Sequence, residues 1–227
     1  MPIELKNHYV AFIDILGFSQ MVRADCEGGP NGQQYVDRLI EVHQQTTTLG
    51  SDVDGLSVSQ FSDSTVIAAP FSRVSFSDFL GVIVSFQQNL LRKGILCRGG
   101  VAIGKHYSEG SFLFSNGLIE AYRIESGLAV FPRIVVSQDL IDLIYPNRNL
   151  PPSCSLLREN DDLFFVDYIS SMSQRDVRSF MEKIVPGNLA QDPSVRNKQI
   201  WLIEYYNFCF PENQFREARR FDKMHHR

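Results

Sequence analysis

Apolar and polar positions follow two rhythms along the chain, and the changes between them fall near glycine or proline. Residues 8–16 (HYVAFIDIL) form a short aromatic and β-branched run, the pattern of a buried strand, and Gly17 ends it. In residues 33–48, Tyr35, Val36, Leu39, Ile40 and His43 recur at the spacing of one helix face. Residues 56–61 and 65–69 flank Ser62, Asp63 and Ser64, which predicts a hairpin with Asp63 at its tip. Residues 75–93 predict a helix entered through Ser75 or Ser77 and closed by Gly94. Residues 95–105 (ILCRGGVAIGK) predict a strand whose Gly99 and Gly100 let the backbone approach a neighbour closely. A helix over 117–126, a strand over 133–137, a short helix over 138–144 and a closing strand over 163–168 follow.

The order β-α-β-β-α-β, extended by a helix and further strands, predicts an α+β fold on a ferredoxin-like βαββαβ core. Residues 147–152 (NRNLPP) read as a loop within it. Residues 1–170 are expected to form one domain and 171–227 a helical extension. That extension holds a helix over 195–210, stopped by Pro211, whose apolar residues cover more than one face. Such a helix is expected to pack on the domain or on a second subunit.

Composition narrows the function classes. A chain of 227 residues, 44% hydrophobic, supports one sizeable core. Its net charge of −4 argues against a nucleic-acid binder, which usually carries a basic face. No stretch approaches the ~20 apolar residues of a membrane helix, and the N-terminus lacks the features of a secretion signal. Cys26, Cys97, Cys154 and Cys209 lie far apart and form no CxxC pair, which reads as reduced thiols in a cytoplasmic protein. There is no Walker A lysine motif and no GxGxxG. The histidines show no metal-ligand spacing, and His106 reads as polar loop surface.

Two carboxylates carry the chemistry. Asp14 interrupts an apolar strand, where a charge is costly unless paired or bound to a cation. Asp63 sits at the hairpin tip, and in a βαββαβ sheet the first strand and the middle hairpin are neighbours. The pair is therefore placed to converge on divalent ions about 3.5–4 Å apart.

The segments FIDILGF around Asp14, FSDSTVIAA around Asp63, CRGGVAIG around Arg98 and FLFSNGLIEAYRIES resemble class III nucleotidyl cyclases. More narrowly, they resemble the short bacterial pyrimidine cyclases of the Pycsar anti-phage defence system. The resemblance runs from about His8 to Tyr168 and is looser in the tail. It implies that Asp14, Asp63 and the backbone carbonyl of Ile15 bind two Mn²⁺ or Mg²⁺ ions. Arg98 matches a phosphate-contacting arginine, and Arg123 stands where the class keeps its transition-state arginine. The asparagine expected four residues before that arginine is Ile119 here, and the late lysine of purine cyclases has no counterpart. The resemblance also implies a homodimer with composite sites and a downstream effector that senses the cyclic nucleotide.

The base pocket departs from both purine patterns, because Ser59 and Phe112 occupy the positions that select adenine or guanine in the class. Phe61 or Phe112 is placed to stack on a base, and Ser59 or Gln60 to read its edge; either phenylalanine alone also reads as core. The expected enzyme is a uridylate cyclase making cUMP from UTP, with a cytidylate cyclase second. A purine cyclase of the same class, a cyclase-like binding domain without catalysis, and a purely structural α+β domain remain as alternatives.

Overall fold

The computed structural model describes residues 4–29, 33–49, 53–110 and 112–216. Strand β1 (Lys6–Ile15) lies at the centre of an eight-stranded sheet because it is apolar on both faces. Tyr9, Ala11, Ile13 and Ile15 turn toward the main core, while Val10 and Phe12 turn toward a smaller cluster on the other face. This is the alternation expected of a strand covered on both sides.

Helices α1 (Phe18–Glu27) and α2 (Tyr35–Leu49) lead from β1 to the hairpin of β2 (Ser57–Phe61) and β3 (Ser64–Pro70). Helix α3 (Phe76–Arg92) then crosses to β4 (Cys97–Glu109). Strands β2, β3, β1 and β4 lie side by side in that order, and every neighbouring pair is antiparallel. This is the ferredoxin-like βαββαβ core, and the α+β class expected from the sequence is the one observed.

Strand β5 (Phe112–Ser115) folds back on the end of β4, and α4 (Asn116–Gly127) follows it directly. Ser115 caps α4, its hydroxyl accepting from the Leu118 N–H at 3.0 Å. Strand β6 (Ile134–Val136) pairs parallel to β4. Helix α5 (Gln138–Ile144) and strands β7 (Leu156–Arg158) and β8 (Phe164–Val166) complete the sheet. Fully buried Arg133 joins its far edge, paired with Glu159 and with Asp161 at 2.5 Å and donating to the Leu128 carbonyl. A buried guanidinium is tolerable only with such partners.

The chain divides into two compact units, Met1–Tyr168 and Ile169–Arg227. In the second, Ser173 caps α6 (Gln174–Ile184) and Asp192 caps α7 (Pro193–Cys209), which starts on a proline at its first turn. Gln199 of α7 accepts from the Ala190 N–H at 2.8 Å and donates to the Ile184 carbonyl at 3.3 Å, tying α7 to the end of α6. Helices α1 and α6 and strands β5 and β7 are additions to the elements read from the sequence.

Helix α4 lies on β4 with almost no side chain between them. A Cβ at Gly100 would fall inside the Ala121 carbonyl and the Ile124 side chain. A Cβ at Gly104 would come within 2.5 Å of the Gly117 nitrogen. Each site meets α4 backbone as well as side chain, and the backbone cannot move aside without shifting the helix. Gly100→Ala should lift α4 from the sheet and cost about 1–3 kcal/mol, as overpacking does. Chemical denaturation checks this, and an unchanged midpoint would show that α4 is not held there by contact.

Candidate functional site

Asp14, Asp63 and Arg98 meet at the end of the sheet where β1 stops. Asp14 pairs across β1 with Ser64 of β3 on one side and Arg98 of β4 on the other. Cross-strand partners share a face, so Asp14 and Arg98 project toward the side that α4 covers. Asp63 occupies the two-residue turn between β2 and β3, where Ser62 takes the left-handed φ of +56° that such a turn requires. The turn is tied to β1 by the Ile15 N–H, which donates to the Asp63 carbonyl at 3.0 Å. A strand residue turns its N–H and C=O to the same side, so the Ile15 carbonyl also faces the Asp63 turn.

Arg98 links the acids. Its Nε lies 3.5 Å from Asp14 Oδ2, and its Nη2 lies 2.7 Å from Glu125 Oε1 on α4. Glu125 is only 3% exposed. Burial pushes the Asp14 carboxyl above the usual carboxylate range, and the neighbouring Asp63 charge adds to this against the pull of Arg98. Burial likewise raises the Glu125 carboxyl, with Arg98 opposing and the two aspartates reinforcing the shift.

Three carboxylates and one guanidinium leave this corner with two formal negative charges, which a divalent cation would offset. Among the described residues no group of three or more His, Cys, Asp or Glu side chains is placed to hold a metal. The protein thus offers two carboxylates and a carbonyl, a set that suits Mg²⁺ or Mn²⁺ bound jointly with water and phosphate oxygens. Asp14, Asp63 and Ile15 fit that role.

The other residues singled out in the sequence stand elsewhere. Phe61 is beside the Asp63 turn and 85% exposed. Ser59 lies on β2, half-buried, opposite Val66. Phe112 pairs with Glu109, eleven residues along β4 from Arg98, which is roughly 35 Å of strand. It packs edge-on against Tyr107 and is largely exposed. Arg123 is exposed on α4, in an ion pair with Glu120 at 3.5 Å. One subunit therefore brings Asp14, Ile15, Asp63 and Arg98 together, carries Phe112 to the far end of β4, and leaves Arg123 exposed and paired with Glu120.

Two sequence readings need revision. His106 lies on β4 rather than in a loop, and it is buried against His8 with ring centroids 5.1 Å apart. Strand β4 simply runs on past Lys105. Glu125 was missed because a charged helix residue usually faces water. Its signal was present: with Gly117, Ala121 and Ile124 it falls on the buried stripe of α4 at helical spacing.

The chain is similar to the adenylyl cyclase CyaB from P. aeruginosa, with a TM-score of 0.53 and 14% sequence identity. The match covers 78% of this chain and 99% of that one. The fold is that of a nucleotidyl cyclase domain. More remote likenesses are a bacterial light-regulated adenylyl cyclase (TM-score 0.48, 13% identity, 81% of this chain and 59% of that one) and the guanylyl cyclase Cya2 (0.45, 12%, 73% and 93%). No protein-family model matches the chain, and no curated protein sequence matches it. No described helix is long and apolar enough to cross a membrane.

The raised Asp14 carboxyl predicts a pH dependence for the cyclase-like domain without metal. A carboxyl whose folded pKa exceeds its unfolded value, near ~3.9, contributes stability below that value and loses it as pH rises through the folded pKa. Asp14→Asn removes the loss. The variant should melt higher than the parent at pH 7, with the gap closing toward pH 4. Equal melting temperatures at pH 7 would mean Arg98 already compensates the buried charge in full.

Proposed function

We propose that this chain is a metal-dependent nucleotidyl cyclase that converts a pyrimidine nucleoside triphosphate to its 3′,5′-cyclic monophosphate. UTP is the favoured substrate and CTP the second. The observation that carries the reading is the meeting of Asp14 and Asp63 beside Arg98 at the end of the central strand. In the reaction the ribose 3′-oxygen bonds to the α-phosphorus, the bond to the bridging oxygen breaks, and pyrophosphate and a proton leave. Two divalent ions would supply Lewis-acid activation of the hydroxyl and neutralisation of the departing phosphates. Asp14, Asp63 and the Ile15 carbonyl hold that charge in place, and Arg98 faces the triphosphate oxygens with a guanidinium.

The enzyme acts as a homodimer on this reading. Phe112, Phe114, Ile119 and Tyr122 are exposed in the consecutive segment β5–α4, an apolar surface fit for a second copy. A partner would then bring Phe112 and Arg123 to the metal end. Phe112 narrows the pocket to one ring, Phe61 stacks, and Ser59 reads the base edge. The resemblance to the Pycsar cyclases favours a pyrimidine product, cUMP, acting on an effector in anti-phage defence within the cytoplasm.

The test is incubation of the pure protein with Mn²⁺ and each of the four ribonucleoside triphosphates, with products resolved by mass. UTP should be turned over well, CTP poorly, and ATP and GTP barely. Asp63→Asn should lower the UTP rate roughly 10³-fold while the fold stays intact. ATP as the best substrate would overturn the pyrimidine assignment, and no turnover of any triphosphate would overturn the cyclase reading.

Assembly has its own expected outcome. Tyr122→Glu places a charge on the apolar β5–α4 surface and should yield a monomer that is folded but inactive. Sedimentation alongside the activity assay checks this. A monomer with full activity would rule out composite sites.

A further inference from the structure

Glu125 is the buried acid at this corner to which the sequence reading gave no role, and it makes the shorter of the two ion pairs of Arg98. Its Oε1 is 2.7 Å from Arg98 Nη2, against 3.5 Å from Arg98 Nε to Asp14. The two contacts use different nitrogens of one planar group, so Glu125 and Asp14 draw on the same guanidinium from two sides. Helix α4 has no freedom to withdraw Glu125, because its backbone sits directly on Gly100 and Gly104.

We propose that Glu125 is a positioning residue that keeps Arg98 from neutralising the metal-binding aspartates. The inference rests on the cyclase reading for the identity of the metal site, and goes beyond it by giving that site an electrostatic guard. With Glu125 present, the arginine's charge is matched from the helix side, and the two aspartates keep a formal charge of two for a divalent ion. Without it, Arg98 turns its full charge on Asp14 and competes with the ion. The same anchor leaves Arg98 aligned for phosphate once the ion takes over Asp14.

Mn²⁺ binding to the purified full chain, measured without nucleotide by paramagnetic resonance titration, tests this independently of turnover. Glu125→Gln keeps the size and an acceptor oxygen but removes the charge. It should weaken Mn²⁺ binding roughly tenfold, the scale of losing an outer partner of a metal site. Adding Arg98→Met to that variant restores two formal negative charges and should restore the parent affinity. A residue that merely packs α4 would not be rescued by removing a second partner. Parent-like affinity in Glu125→Gln, or no recovery in the double variant, would overturn the proposal while leaving the metal site intact. Absence of Mn²⁺ binding in the parent chain would instead overturn the metal assignment itself, and this inference with it.

Discussion

A carboxylate on the central strand of a sheet covered on both faces creates a demand that the surrounding structure must meet. Asp14 is only partly open to water, and burial raises its carboxyl accordingly. Arg98 meets the demand in part from the neighbouring strand, yet Arg98 itself lies under α4. Its second partner, Glu125, is held there because α4 rests on glycines of β4 rather than on side chains. The close seating of one helix on one strand thus places Glu125, while the pairing of β1 with β4 places Asp14 and Arg98. The fourth, Asp63, arrives by the β2–β3 turn, tethered to β1 by a backbone hydrogen bond.

The core of this fold was legible because its elements are long and strongly patterned. The β1 and β3 runs are largely apolar, β4 is buried through most of its first half, and α3 shows a clear buried face. What escaped was short or polar. Helix α1 begins straight after Gly17 with no side-chain cap, and only Asp25 is buried on it. Strand β5 is four residues long and exists by pairing with the end of β4. Helix α6 is rich in charge, and its two buried residues, Val177 and Met181, are too few to announce a helix.

The site was legible to the same degree and for the same reason. An acid in an apolar strand and an acid in a hairpin turn are local signals, and the βαββαβ order makes them neighbours. Glu125 is a tertiary signal, because its importance depends on which residue of another element it faces. Phe112 shows the opposite case. Sequence position alone made it a pocket residue, whereas β4 carries it to the far end of the strand from Arg98. Its part in any pocket depends on a second chain.

The corner offers a metal two carboxylates and a carbonyl, and that economy has a consequence for the proposed chemistry. A site that completed its coordination from protein side chains would hold an ion whether or not substrate were present. One that leaves positions for phosphate oxygens binds ion and triphosphate most tightly together, since each reduces the charge that the other must face. The Arg98–Glu125 pair fits the same logic. A lone arginine beside Asp14 would serve as a permanent internal cation and make the external one unnecessary. Matched by Glu125, on the proposed reading, it would stay available to phosphate while leaving the aspartates their own charge. The buried acid on α4 and the acids on β1 and its neighbouring turn are in this sense one electrostatic unit, held on one side by the contact between a helix and the glycines beneath it and on the other by the strand pairing of β1 and the β2–β3 turn.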